Sequence, residues 1–94
     1  MSERTTPALA KLDTLLPLLK AHPKSDGQER VVEDAEALRR AVAAFHMEAI
    51  RFRMHNVDRA IKLLGEDAAT RRAFEDVRQA LETAGFHTRS HSAP

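Results

Sequence analysis

Between Gln28 and Leu64 the chain contains neither glycine nor proline, and this unbroken run constrains the fold more than any other feature. Two apolar series of alternating four- and three-residue steps lie along it: Val31, Ala35, Leu38, Val42, Phe45, Ala49, Phe52, and then Met47, Ile50, Met54, Val57, Ile61, Leu64. That spacing is the seam of a packed helix. With no breaker, the pattern predicts one continuous helix over 28–64, about 37 residues and roughly 55 Å long at 1.5 Å per residue. A globule of 94 residues is only about 35 Å across. Such a helix has to protrude or be covered.

The flanks predict shorter helices. Thr6 is placed to cap the first one, with Pro7 at its first helical position and Leu9, Leu12, Leu16 and Leu19 as its stripe,. Pro17 falls within that stripe and predicts a kink or break after Leu16. A linker, His22–Gly27, closes on a start signal, since Ser25 with Gln28, or Asp26 with Glu29, has capping-box spacing,. Gly65 is the stop signal of the long helix, and Asp67 can cap the last one, which runs through Phe74, Val77 and Leu81 to Gly85. Phe86 is placed for the hydrophobic contact of a Schellman ending. The predicted fold is all-α: a short-long-short chain of three helices forming a single domain over 1–86, with a disordered polar tail over 87–94.

The two seams are offset by over about 100° around the helix axis and overlap only in the stretch FHMEAIRFRMH, so the middle of the helix needs cover on both sides. The first helix, about 21 Å long, is too short for the first seam, about 33 Å. Apolar surface is left over at Phe45, Ala49 and Phe52, and a second copy of the same chain is the simplest cover. Charge sets the orientation. Glu29, Glu33, Asp34 and Glu36 against Arg30 make the start of the helix acidic; Arg39, Arg40, Arg51, Arg53, Arg59 and Lys62 against Glu48 and Asp58 make the rest basic. An antiparallel homodimer sets these blocks against each other. At its contact, Arg53 is expected to pair with a carboxylate (Glu75, Asp76 or Glu82, or one from the partner), the alternative being that it snorkels to water along its aliphatic stem, and Asn56 to interrupt the seam and fix its register.

Composition removes several functions. There is no cysteine, so there are no disulfides or thiolate sites. His46, Glu48 and His55 lack the spacing for one metal ion within a chain, although a metal or small-ligand site assembled between subunits is an alternative. No phosphate loop, nucleophile elbow or confined acid pair is present, and neither enzymatic activity nor a cofactor is expected. With 15 Lys and Arg against 14 Asp and Glu, bulk electrostatics does not favour nucleic acid. An arginine face on the basic half of the long helix, with Arg71 and Arg72, is the alternative reading, lacking a free aromatic for stacking and a short recognition helix. No window is long and apolar enough for a membrane span, and the opening MSERTTPA has no signal-peptide core,. The expected protein is therefore a small cytoplasmic, non-enzymatic interaction or regulatory module, homodimeric through Phe45, Ala49, Phe52, Arg53 and Asn56, which engages another protein as yet unidentified.

Overall fold

The computed structural model describes residues 4–65 and 67–86, and the predicted long helix is cut in two. The chain forms α1 (Thr6–Lys20), α2 (Asp26–Ala43), α3 (Met47–Leu64) and α4 (Ala68–Thr83). The longest extent is 34 Å, which a straight helix of about 55 Å would exceed. The expected tail, 87–94, lies outside the described residues.

The cut at Ala44–His46 needs neither glycine nor proline. Phe45 takes a left-handed conformation, φ 60°, at the position where a Schellman ending requires it. The Phe45 amide donates to Val42 O (3.0 Å) and the His46 amide to Ala41 O (3.0 Å), the paired bonds of that motif. His46 then starts the next helix: its extended backbone turns the chain, and its Nδ1 accepts from the Ala49 amide at 3.2 Å. A left-handed bulky residue costs about 1–2 kcal/mol. Contacts of the ring offset that cost, since Phe45 packs edge-on against Phe86 with centroids 5.1 Å apart and the Arg4 guanidinium lies 5.5 Å from its centroid,.

The other boundaries follow the sequence closely. Ser25 Oγ accepts from the Gln28 amide (3.0 Å), and Asp67 Oδ2 from the Thr70 amide (3.1 Å). The Gln28 side chain does not complete a capping box; it is buried and donates to Leu19 O at 3.1 Å, tying the end of α1 to the start of α2. Gly65 (φ 116°) ends α3. At the end of α4, Gly85 (φ 100°) occupies the left-handed position, the Phe86 amide donates to Leu81 O (2.9 Å), and the Phe86 ring is buried. Thr6 is already helical, one residue beyond its expected capping position, and Pro17 stays within an unbroken α1 on its exposed side.

Short turns make successive helices antiparallel. Asp13 on α1 bonds Arg39 on α2 (2.9 Å), and Asp58 on α3 pairs with Arg71 on α4 (2.8 Å). α1 and α4 are antiparallel too: His22, after α1, meets Asp67, before α4, at 2.9 Å, while Arg4 donates to Ala84 O at the far end. The result is an up-down-up-down four-helix bundle in which α2 packs closely on α3 and α1 on α4, and of the four neighbouring pairs α3 and α4 pack least closely. One core draws on all four helices: Leu12, Leu15 and Leu19; Val31, Leu38 and Val42; Ile50, Met54, Val57 and Ile61; Phe74, Val77 and Leu81. The α2 part of the first seam and Ile50 to Ile61 of the second are therefore buried within one chain, closing over each other, while Phe45, Met47 and Phe52 stay exposed.

The α3–α4 side is joined by charge. Asp58 takes Arg71 at 2.8 Å and Lys62 at 3.6 Å, and Glu75 takes Arg71 (3.0 Å) and Arg78 (3.1 Å). Both guanidinium groups lie against the Phe74 ring, 5.3 and 5.2 Å from its centroid. Phe74 has no exposed surface and Leu63 is 82% exposed. Phe74→Ala should accordingly lower the urea-unfolding free energy by about 3–5 kcal/mol, whereas Leu63→Ala should change it by less than about 0.5 kcal/mol.

Candidate interaction surface

α3 buries Ile50, Met54, Val57 and Ile61 and turns its opposite side to solvent. At 100° per residue, Glu48, Phe52, His55, Arg59 and Leu63 fall within a sector about 80° wide on that outer side, and all five are exposed. Phe52 is 57% exposed, an apolar ring set between an acid one turn before it and a base two turns after it. Among the described residues neither Glu48 nor Arg59 has an ion-pair partner.

The residues expected at a subunit contact are dispersed by the break in the helix. Phe45 sits in the turn and spends its ring on Phe86 and Arg4, leaving it 42% exposed. Ala49 is half-buried against the core and donates its amide to His46. Phe52 alone keeps the open position that the seam assigned to it. Asn56 borders a shallow groove of about 170 Å³ between α2 and α3, with Arg30, Asp34, Arg59, Ala60 and Leu63.

Arg53 does not pair with a carboxylate of the last helix. It is half-buried, among the described residues it makes no ion pair, and its guanidinium lies 5.3 Å from the Phe52 centroid. The reason is azimuth. Asp58, on the α4 side of α3, lies about 140° around the axis from Arg53, so Arg53 faces the α2 flank. Glu75 is in any case held by Arg71 and Arg78. The cation rests on the neighbouring Phe52 ring instead,.

Leu63 escaped the sequence reading because it belongs to neither seam. The opposed charges of Glu48 and Arg59 were legible as an i, i+11 pair, three turns apart on one face, once α3 is treated as a helix of its own. Read within one long helix, they disappear into its overall basic balance.

The histidines do not converge. Among the described residues no group of three His, Asp or Glu could hold a metal ion. His46 Nδ1 is used as a cap, and His55 stands alone on the outer face. His22 bridges two elements, with Nδ1 3.1 Å from Leu18 O and Nε2 2.9 Å from Asp67 Oδ1. Of the arginines that a phosphate-binding face would use, Arg71 is committed to Asp58 and Glu75 and Arg53 rests on Phe52. A wider groove, of about 810 Å³, runs between α1 and α4 past Pro7, Lys11, Asp76, Ala80 and Thr83. Among the described residues no helix is long and apolar enough to cross a membrane. No family model, curated protein or solved structure matches the chain.

Two carboxylates are held below their ordinary range. Asp67 is lowered from 3.8 to about 2, first by the hydroxyl and amide of Thr70 and then by His22, and Asp13 is lowered by its hydrogen bond to Arg39. A carboxylate with a depressed native pKa adds stability above its unfolded value, and that contribution is lost as pH falls through the native value. Acid unfolding should therefore show Asp67 leaving between about pH 4 and pH 2. Asp67→Asn, which can still cap α4 but carries no charge, should be less stable than wild type at pH 6. The two should converge near pH 2, as read from thermal midpoints across that range.

Proposed function

We propose that this chain is a small non-enzymatic interaction module that pairs with a second copy of itself through the outer face of α3, leaving its other surfaces for another protein. The carrying observation is the spacing of Glu48, Phe52 and Arg59 on that face. A two-fold axis perpendicular to α3, passing between Phe52 and His55, sets Glu48 opposite Arg59 of the partner subunit, and the reciprocal pair follows from symmetry. Phe52 then lies over His55 of the partner subunit, at the centre of the contact. Parallel pairing in register would place like charge on like.

Magnitudes separate the roles of these groups. Each exposed ion pair contributes about 0–1 kcal/mol, enough to choose an orientation but little affinity. Burying the remaining Phe52 surface contributes about 1.5–3 kcal/mol per subunit at most. The dimer is consequently weak and governed by Phe52, and its population rises with protein concentration. An antiparallel α3 pair also retains the complementarity of charge that the sequence suggested, now carried by three turns of one helix. Metal, cofactor and nucleic acid play no part in this reading.

Light scattering over a concentration series tests it. Wild type should move from monomer toward dimer, and Phe52→Glu should remain monomeric with its helical content intact, because an unpaired carboxylate in an apolar contact costs several kcal/mol. Glu48→Arg and Arg59→Glu should each weaken the dimer by about tenfold through two like-charge contacts, and the double reversal should restore it. Monomeric wild type at every concentration, or a double reversal as weak as the singles, would show that this face does not pair.

A further inference from the structure

The α2–α3 turn is built unlike the others. Left-handed backbone occurs at three described positions, Phe45, Gly65 and Gly85, and two of these are glycines, which adopt it without strain. The third is a phenylalanine within Ala43–Glu48, a stretch free of glycine and proline that favours helix locally,. The local preference of the chain and its folded state therefore disagree at this one turn. The folded state is held there by contacts from the two ends of the chain, which meet at one end of the bundle: Phe86, after α4, edge-on to the Phe45 ring, and Arg4, before α1, with its guanidinium 5.5 Å from the ring centroid.

We propose that Ala44–His46 is a hinge through which two copies of this chain exchange their α3–α4 halves, with α2 and α3 fusing into one straight helix in each. Exchange preserves the packing that stabilises the fold, because the closely packed α2–α3 and α1–α4 pairs re-form between subunits. Only the turn changes. Phe45 leaves its left-handed conformation, and the amides of Met47 and Glu48, in the first turn of α3, gain carbonyl acceptors four residues back. The offset of the two seams fits this form: the α2 half of the straight helix serves one core and the α3 half serves the other, so the two faces need not align. The partner is a second copy of the chain, and the proposal does not depend on the α3 outer face.

The folded geometry supplies a variant that separates the two forms. Met47 is the first residue of α3 and follows an extended His46 (φ −100°, ψ 96°). Proline suits a first helical position after an extended residue, but it would break a helix running through position 47. Met47→Pro should thus keep the monomer and forbid the exchanged dimer. Phe45→Ala, which loses both ring contacts and keeps the left-handed strain, should raise the exchanged fraction several-fold.

The exchanged state should form on refolding from denaturant at high protein concentration and persist on dilution, because its return requires unpacking of the core. Spin labels at Glu29→Cys and Lys62→Cys, in doubly labelled chains diluted into unlabelled protein, report the hinge directly. The intrachain distance should be within about 20 Å in the monomer, two helix diameters, and about 50 Å in the refolded dimer. Absence of a persistent dimer, a dimer that retains the short distance, or long distances in Met47→Pro would overturn the proposal. A dimer that depends on Phe52 and keeps the short distance is the face-to-face pairing instead, so the two forms of association can fail separately.

Discussion

The fold depends on one left-handed residue that is not a glycine. With Phe45 at φ 60°, the Val42 and Ala41 carbonyls are satisfied from Phe45 and His46, α2 ends, and α3 returns along it. Without that turn the α2 and α3 seams would point in different directions at opposite ends of a rod. Neither could complete a core with α1 and α4 of the same chain. The strain of about 1–2 kcal/mol is small beside the burial it permits, since Ile50, Met54, Val57 and Ile61 all become inaccessible or nearly so. Local preference is overruled by tertiary packing at a single residue, and the four-helix bundle follows.

The two ends of the chain meet at this turn. Phe86 belongs to the Schellman ending of α4 and Phe45 to that of α2, and their rings pack edge-on across the end of the molecule. Gly85 lies so close to Arg4 that a side chain there would meet its guanidinium at 2.8 Å. The α1 start, the α2–α3 turn and the α4 ending therefore form one cap over the core. At the opposite end, His22 and Asp67 join the α1–α2 and α3–α4 turns, and Gln28 ties α2 to Leu19. The sides between carry the ion pairs, with Asp13–Arg39 across α1 and α2 and Asp58–Arg71 across α3 and α4.

Much of this was legible in the sequence because it rests on local chemistry. Ser25 and Asp67 cap helices where their spacing said they would, Gly65 and Gly85 end them, and Phe86 makes the backbone bond of a Schellman ending with its ring buried. The apolar seams named the α2 and α3 parts of the core, Val31, Ala35, Leu38 and Val42 with Ile50, Met54, Val57 and Ile61, but Phe45, Met47 and Phe52 are exposed and the α1 core is completed by Ala8 and Leu15, with Leu9 and Leu16 only half-buried. The turn at Phe45 was not legible because its stabilisation comes from Arg4 and Phe86, each about 40 positions away in the chain. Once the long helix is cut, the inferences that rested on its length change with it. Helix 1 no longer has a surplus seam to cover, Phe45 no longer lines up with Phe52, and Arg53 faces the α2 flank instead of a carboxylate. Phe52 remains exposed because its place on α3 is set by local helical geometry, which the cut leaves unchanged; that is why the proposed contact narrows from a whole rod to one face of α3.

Backbone NMR on dilute protein reads the turn at Phe45 itself. Expected are an interruption of helical carbon shifts at Ala44–His46, a positive φ at Phe45 from its scalar couplings, and a nuclear Overhauser contact between Gly27 and the nearby Leu64 methyl, which a Cβ at position 27 would meet at 3.9 Å. Uninterrupted helical shifts from Gln28 to Leu64 in a monomeric sample, with no contact between Gly27 and Leu64, would contradict that turn.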